Sequence, residues 1–323
     1  MPDDKARGYR IVELSCAAAG DERAEVVAAL LEEPARIAPK YFYDELGCAL
    51  YGAICRLPEY YPTRTELAIF REQRASMAEA MGTGKQFVDL GAGDCCKAEG
   101  WLAFVAPSRY VAVDIAGHEI ARALERIGPD FPAIEMLGVV TDFSRELDVE
   151  AALVAGPATF FYPGSSIGNF TPDEAVAFLA SVRRHCVERP GSGLLIGVDG
   201  KKPKPVLDAA YDDALGVTAA FNRNVLLHLN RRFGFDFRLD GFGHRGFYNE
   251  ALGRIEMHLE ALADLAVNLG GRTRRFRKGE RIHTENSYKY RAAEFEELLR
   301  KAGFADIRRW SDAGEGYFVF YAS

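Results

Sequence analysis

No apolar stretch in this 323-residue chain approaches the roughly 18 to 20 residues that a helix needs to cross a bilayer, so no membrane span is expected. Positive charge is not in surplus: 40 Lys and Arg stand against 47 Asp and Glu, a net charge of −7. That balance does not suit a phosphate backbone, and nucleic acid is excluded as an expected partner. The densest basic run, "GRTRRFRKGER" at 271–281, reads as a solvated edge or hairpin. Cysteine is sparse and poorly spaced for metal, since Cys16, Cys48, Cys55, Cys95, Cys96 and Cys186 include no C-x-x-C pair. Adjacent cysteines cannot easily both point at one tetrahedral ion, so Cys95 and Cys96 read as small thiols in a reduced compartment and no metal is expected. The N-terminus, "MPDDKARGYRIVELSC", has acids where a secretion signal needs a basic start and an apolar run. The chain therefore reads as cytoplasmic. Internal repeats and low-complexity tracts are lacking too.

What is present is a globular composition, 48% apolar and 27% charged, at a length that fits two domains or one domain with a large insertion. Short apolar runs recur at "QFVDLG" (86–91), "YVAVD" (110–114), "IEMLGVV" (134–140), "TFFYPG" (159–164) and "LLIGVD" (194–199), with helical stretches between them. That alternation predicts a parallel sheet of βαβ units. The amphipathic helix "AAEFEELLRKAGF" closes at Gly303, and "ADIRRW" and "GYFVFYA" follow as an antiparallel pair, making seven strands. Two helix starts are marked by capping-box spacing, Thr63 with Glu66 and Thr171 with Glu174, the second with Pro172 in the first helical position. Asn169 is then held in the loop after the fourth strand, on the carboxyl edge where ligands bind in open α/β sheets. About 90 residues between the fifth strand and the last helix far exceed an ordinary βα connection. The division expected is a core of 61–199 plus 291–323 and a substrate-binding domain of 1–60 plus 200–290.

The stretch "FVDLGAGDCCKAEGWL" (87–102) carries the chemistry. Gly91-Ala92-Gly93 after a strand allows close backbone approach to a ligand, and Asp114, ending the next strand, can take two ribose hydroxyls. A dinucleotide fingerprint would want a third glycine where Cys96 stands. Asp142-Phe143, after the third strand, adds an acceptor for an adenine amino group and an aromatic face. Glycine loop, second-strand acid, then acid-aromatic is the order used by S-adenosylmethionine-dependent methyltransferases. In that setting Lys97 pairs with the carboxylate at the methionine end of the cofactor.

Longer blocks carry a closer likeness: "PKYFYDELG", "LPEYYPTRTE", "GSSIGNFTP", "AAYDDALGVTAAFNRNVL", "RIEMHLEA" and "IHTENSYKY". From about residue 36 to the C-terminus the chain resembles the L-histidine Nα-methyltransferases of ergothioneine biosynthesis. The resemblance implies a seven-stranded, Rossmann-like class I methyltransferase core with an inserted α+β substrate domain. It implies S-adenosyl-L-methionine as cofactor, L-histidine as substrate and a monomeric enzyme that makes Nα,Nα,Nα-trimethylhistidine (hercynine). It places Gly91, Lys97, Asp114, Asp142, Phe143 and Tyr43 on the cofactor. Asn169 and Tyr211 match positions that hold the α-carboxylate, and Gly164 lies in the loop facing the amine. Tyr43 and Asn169 are the residues expected to order the reacting groups. Tyr60, Glu285 and Ser287 match the residues that read the imidazole, and Met257 packs by the ring.

Methyl transfer from a sulfonium mainly needs a free amine lone pair held in line with the methyl, at about 3 to 3.5 Å. No metal or nucleophilic serine is required, and the sequence offers no clear triad. Aromatic faces such as Tyr43 and Tyr60 tolerate the growing ammonium, and a carboxylate at Glu285 favours a ring with an N–H. By themselves, Met257 reads as core packing, "FNRN" at 221–224 as a helix brace, and Glu285 as a solvated strand residue. The competing readings are an Nα-methyltransferase for another amino acid such as tryptophan, an NAD-type oxidoreductase, and a non-catalytic cofactor-binding module.

Overall fold

Strands inside a parallel sheet are covered on both faces and read as unbroken apolar runs. β3 (Gln86–Leu90), β4 (Arg109–Asp114), β5 (Glu135–Val140), β6 (Ala158–Tyr162) and β7 (Gly193–Asp199) are buried along nearly their whole lengths. The computed structural model describes residues 8–14, 19–143 and 147–323; Cys16 and the first residues of the N-terminal segment lie outside them. Contacts divide the chain into two compact units, one of Met1–Ser15, Pro62–Lys201 and Lys289–Ser323, the other of Cys16–Tyr61 and Lys202–Tyr288.

In the first unit the strand order is β1-β5-β4-β3-β6-β7-β14-β13, with β13 (Ile307–Ser311) and β14 (Tyr317–Ala322) as the antiparallel end. All seven expected strands are there, and an eighth joins them. β1 (Tyr9–Glu13) lies parallel to β5, Tyr9 opposite Met136 and Glu13 opposite Val140. The N-terminal segment is therefore not wholly with the insertion. A short edge strand of mixed exposure has no apolar run to announce it, and its partner lies far along the chain.

Helices α4 (Arg74–Met81), α5 (Cys96–Val105), α6 (Gly117–Ile127), α7 (Pro172–Glu188) and α10 (Ala292–Lys301) belong to this unit. α7 starts as expected: Glu174 N–H donates to Thr171 Oγ1, and the Glu174 carboxylate accepts from the Thr171 N–H. The other expected start is wrong. α3 spans Tyr61–Glu72, so Thr63 lies inside the helix and Glu66 turns to the sheet rather than back to a cap. Since β4 lies on one side of β3 and β6 on the other, the loops after β3 and β6 diverge and leave a crevice at the strands' carboxyl ends. Those two loops carry the glycine turn and the Gly164–Asn169 segment.

The second unit holds α1 (Ala19–Leu31), α2 (Glu45–Ile54), α8 (Lys204–Tyr211) and α9 (Val217–Phe233) with a four-stranded sheet. Its order is β2 (Ala35–Arg36), β12 (Arg281–Tyr288), β9 (Arg254–Ala261), β8 (Phe242–Asn249). Ile255, Met257, Leu259 and Ala261 alternate along β9 and share one core with the helices. The basic run supplies the second strand of a separate hairpin, β10 (Leu265–Asn268) with β11 (Thr273–Phe276). No helix among the described residues is long and apolar enough to cross a membrane.

Candidate active site

The glycine loop of the first unit rises from β3 into α5 through left-handed backbone at Gly91 (φ +69°), Gly93 (φ +53°) and Cys95 (φ +57°). The Phe143 and Tyr162 rings lie 3.8 and 3.9 Å from where a β-carbon on Gly91 would sit, and they meet each other edge to face. An aromatic wall thus stands beside the turn. Tyr162 ends β6 and was not singled out from sequence, where an aromatic in a strand reads as packing. Asp114 takes the Gly93 N–H on Oδ2 (2.9 Å) and the Ala116 N–H on Oδ1 (2.8 Å). Burial raises its pKa and those backbone donors oppose the rise. A carboxylate bound this way keeps acceptor capacity for hydroxyls. Asp142 and Phe143 follow β5, both half-buried.

The two cysteines do not share a direction, Cys95 being buried and Cys96 exposed. Burial pushes the Cys95 thiol far above its ordinary range and the Cys96 thiol up to about 11. Close to Cys95, β3 carries Asp89, fully enclosed and accepting the Tyr110 O–H at 2.9 Å. Burial pushes its carboxyl up to about 7.

Lys97, in the first turn of α5, places Nζ 2.6 Å from Glu66 Oε2. Glu66 is fully buried, and its Oε1 accepts the Gly164 N–H at 2.8 Å and the Tyr317 O–H at 2.7 Å. Gly164 has φ +83°, and a β-carbon there would stand 3.0 Å from the Lys97 ammonium. Asn169 ends a 3₁₀ turn, Ser166–Asn169, just before the Thr171 cap. The structure therefore brings Lys97 and Gly164 together around Glu66, which sequence reading assigned to a cap. Gly197 in "LLIGVD" was the available signal. A β-carbon at Gly197 would fall 1.9 Å from Glu66 Oε1, so the glycine leaves room for the carboxylate.

The ring-reading candidates gather in the second unit. β12 pairs His283 with His258 and then Glu285 with Met257, leaving Thr284 as an extra residue in a β-bulge. Strict alternation from Ile282 would put Glu285 on the face of His283. The bulge instead aims Glu285 and Ser287 along the face that Met257 and Ile255 share. Tyr211 donates its O–H to Ser287 Oγ at 3.0 Å, and its ring meets Tyr60 edge to face at 6.0 Å. Burial raises the Tyr60 pKa, and the nearby Tyr51, Tyr211, Cys55 and Glu285 raise it further. Tyr43 packs edge-on against Tyr51 and Phe221.

A chain of hydrogen bonds fixes this arrangement. Thr284 Oγ1 is 2.8 Å from Asn222 Oδ1 and 3.0 Å from the Met257 carbonyl. Asn222 Nδ2 donates to His244 Nδ1 and to the His258 carbonyl. Because an amide NH₂ only donates, His244 Nδ1 is the acceptor and Nε2 carries the proton, which it gives to the Tyr211 carbonyl at 2.8 Å. Burial lowers the His244 pKa, in keeping with that neutral ring. The sequence reading of "FNRN" as a brace thus resolves onto Asn222, while Tyr51 and Thr284 had no sequence signal.

Residues 22–323 match the family model described as histidine-specific, S-adenosylmethionine-dependent methyltransferase. The chain is 37% identical over 296 residues to the histidine N-alpha-methyltransferase of Mycolicibacterium smegmatis, covering 90% of this chain and 91% of that one. It is 28% identical over 294 residues to ergothioneine biosynthesis protein 1 of Neurospora crassa, covering 87% of this chain and 32% of the fungal one. It is also 28% identical over 309 residues to a 4-dimethylallyltryptophan N-methyltransferase of Arthroderma benhamiae, covering 90% and 89%.

Proposed function

The chain belongs to the S-adenosylmethionine-dependent, histidine-specific methyltransferases, and from that premise we propose that it moves methyl groups from S-adenosylmethionine to the α-amino nitrogen of L-histidine, up to the trimethylated product, as the first step of ergothioneine biosynthesis. The observation that carries the substrate choice is the bulge at Thr284, which turns Glu285 and Ser287 toward the Tyr211 side of the sheet. A carboxylate there accepts an imidazole N–H, and it suits that small ring, polar at both nitrogens, better than the larger indole, which is apolar apart from one N–H.

The residues divide the work. Asp114 takes the ribose hydroxyls, Asp142 the adenine amino group, Phe143 with Tyr162 the ring face, and Lys97 the cofactor carboxylate. The sulfonium supplied by the bound cofactor carries the methyl. Gly164 has its N–H committed to Glu66, so its carbonyl is what it offers the amine. Asn169 and Tyr211 hold the α-carboxylate, Tyr60 and Met257 flank the ring, and Tyr43 stands by the reacting nitrogen. Orientation of a free lone pair is the main task, and a neutral Tyr and Asn set does it without locking the amine as its ammonium form. The second unit is the substrate-binding part, and one chain acting alone in the cytoplasm suffices. Mass spectrometry of histidine incubated with the protein and S-adenosylmethionine tests the reading. The mass should rise in methyl steps and stop at the third, on the α-nitrogen. Methyl on an imidazole nitrogen, or no preference for histidine among amino acids, would sink it.

A further inference from the structure

Glu66 is a fully buried carboxylate that cofactor and substrate binding, as described above, do not use directly. Its three partners are not equivalent. Among the described residues, Oε2 holds the Lys97 ammonium, at 2.6 Å, while Oε1 holds the Gly164 N–H and the Tyr317 O–H. Two further features keep the carboxylate where it is. Gly197 on β7 has no β-carbon, which would otherwise stand 1.9 Å from Oε1, and Gly164 has none to displace the ammonium. We propose that Glu66 is the positioning residue of the methyl-transfer site, fixing through one oxygen the lysine that meets the cofactor and through the other the peptide that faces the amine. This rests on the roles given above to Lys97 and Gly164.

A buried ion pair is weak evidence for a stabilising role, because an apolar pair of similar volume usually serves stability as well. Here both ends of the pair lead to binding loops. A lysine side chain left free must give up rotamer freedom when it meets a ligand, and Glu66 removes that penalty beforehand. Lys97 remains one-quarter exposed, and an ammonium has three donors, so the ion pair leaves N–H groups for the cofactor carboxylate.

The split between the oxygens makes the proposal testable. Glu66→Gln keeps an acceptor for Gly164 and Tyr317 but sets an NH₂ against the ammonium, donor to donor, so it releases Lys97 alone. Tyr317→Phe removes a donor from Oε1 and leaves the Lys97 contact. S-adenosylhomocysteine, which carries the same amino-acid end as the cofactor, is the probe, its binding measured by calorimetry on the full chain, with thermal melts run beside it. Glu66→Gln is expected to weaken that binding about tenfold, as loss of a charged hydrogen bond does, with histidine KM little changed. Tyr317→Phe is expected to raise histidine KM and leave S-adenosylhomocysteine binding alone. In a Lys97→Met background Glu66→Gln should weaken binding no further. A loss of equal size in both backgrounds, a gain in affinity, or the same pattern from Glu66→Gln and Tyr317→Phe would overturn the proposal. If Lys97→Met by itself leaves binding unchanged, the role given to Lys97 fails first, and the proposal with it.

Discussion

Thr284 is the residue on which the face of β12 carrying Glu285 and Ser287 turns, and its two halves can be separated. It is fully buried, and its hydroxyl reaches Asn222 Oδ1 at 2.8 Å and the Met257 carbonyl at 3.0 Å. Thr284→Val keeps the shape and removes the hydroxyl. One hydrogen bond is lost, worth about 1 kcal/mol net, and one buried acceptor is left unpaired at a further cost of about 1 to 3 kcal/mol. Valine's extra apolar methyl offsets part of this, so a net loss of about 2 kcal/mol is expected in urea unfolding. Asn222 would be held at one end only, loosening His244 against the Tyr211 carbonyl and Tyr211 against Ser287. Histidine KM should rise several-fold while S-adenosylhomocysteine binding changes little, because this hydrogen-bonded chain lies in the second unit, whereas Lys97, Asp114, Asp142 and Phe143, proposed above to hold the cofactor, lie in the first. Thr284→Ser reverses the design by keeping the hydroxyl and deleting the methyl. It should lose a comparable amount of stability through a small cavity yet keep a histidine KM near that of the parent. If KM follows the methyl, so that serine impairs it and valine does not, the hydrogen-bonded chain is not what orders the site.

Two more outcomes follow from the same geometry. Glu285→Ala should lower the ratio of specificity constants for histidine over tryptophan, by on the order of 1 to 3 kcal/mol, whereas Asn169→Ala should depress both substrates alike; equal ratios in the two variants would remove Glu285 as the selector. Asp89, ordinarily titrating at 3.8, is pushed up to about 7 by burial, so between those values the folded state holds a proton that the unfolded state has released. Stability contributed by this group is therefore present at acid pH and lost as pH rises to about 7. Asp89→Asn, which can still accept from Tyr110, should gain on the parent in pH-dependent unfolding over that window and level off above it; a difference that is flat or shrinks with pH would contradict the assignment.

The parts of the site that depend on local chain geometry were legible. The glycine turn, Asp114 at a strand end, Asp142-Phe143 and the Thr171–Glu174 cap each rest on a few consecutive residues whose type dictates the backbone. Buried parallel strands announced themselves because both faces must be apolar. What could not be read depended on partners distant in sequence. β1 joins the sheet by pairing with a strand more than a hundred residues on, and its own residues carry no mark of it. Glu66 has the spacing of a capping residue, yet its partners come from α5, the loop after β6, and β14. A bulge of one residue decides which face Glu285 takes, and period-two alternation cannot show where a strand spends an extra residue.

By itself, then, the sequence determined the parallel sheet, the glycine turn after β3 and the Thr171 cap, since these follow from backbone preferences and from which short runs must be buried. Only the tertiary structure decided which carboxylate serves which partner. Glu66 and Glu285 are both glutamates in unremarkable stretches. One becomes a buried anchor because a missing β-carbon at Gly197 leaves it space. The other takes the face of Met257 and Ile255 because Thr284 shifts the register before it. Those are facts of packing between segments far apart in the chain, and no local pattern encodes them.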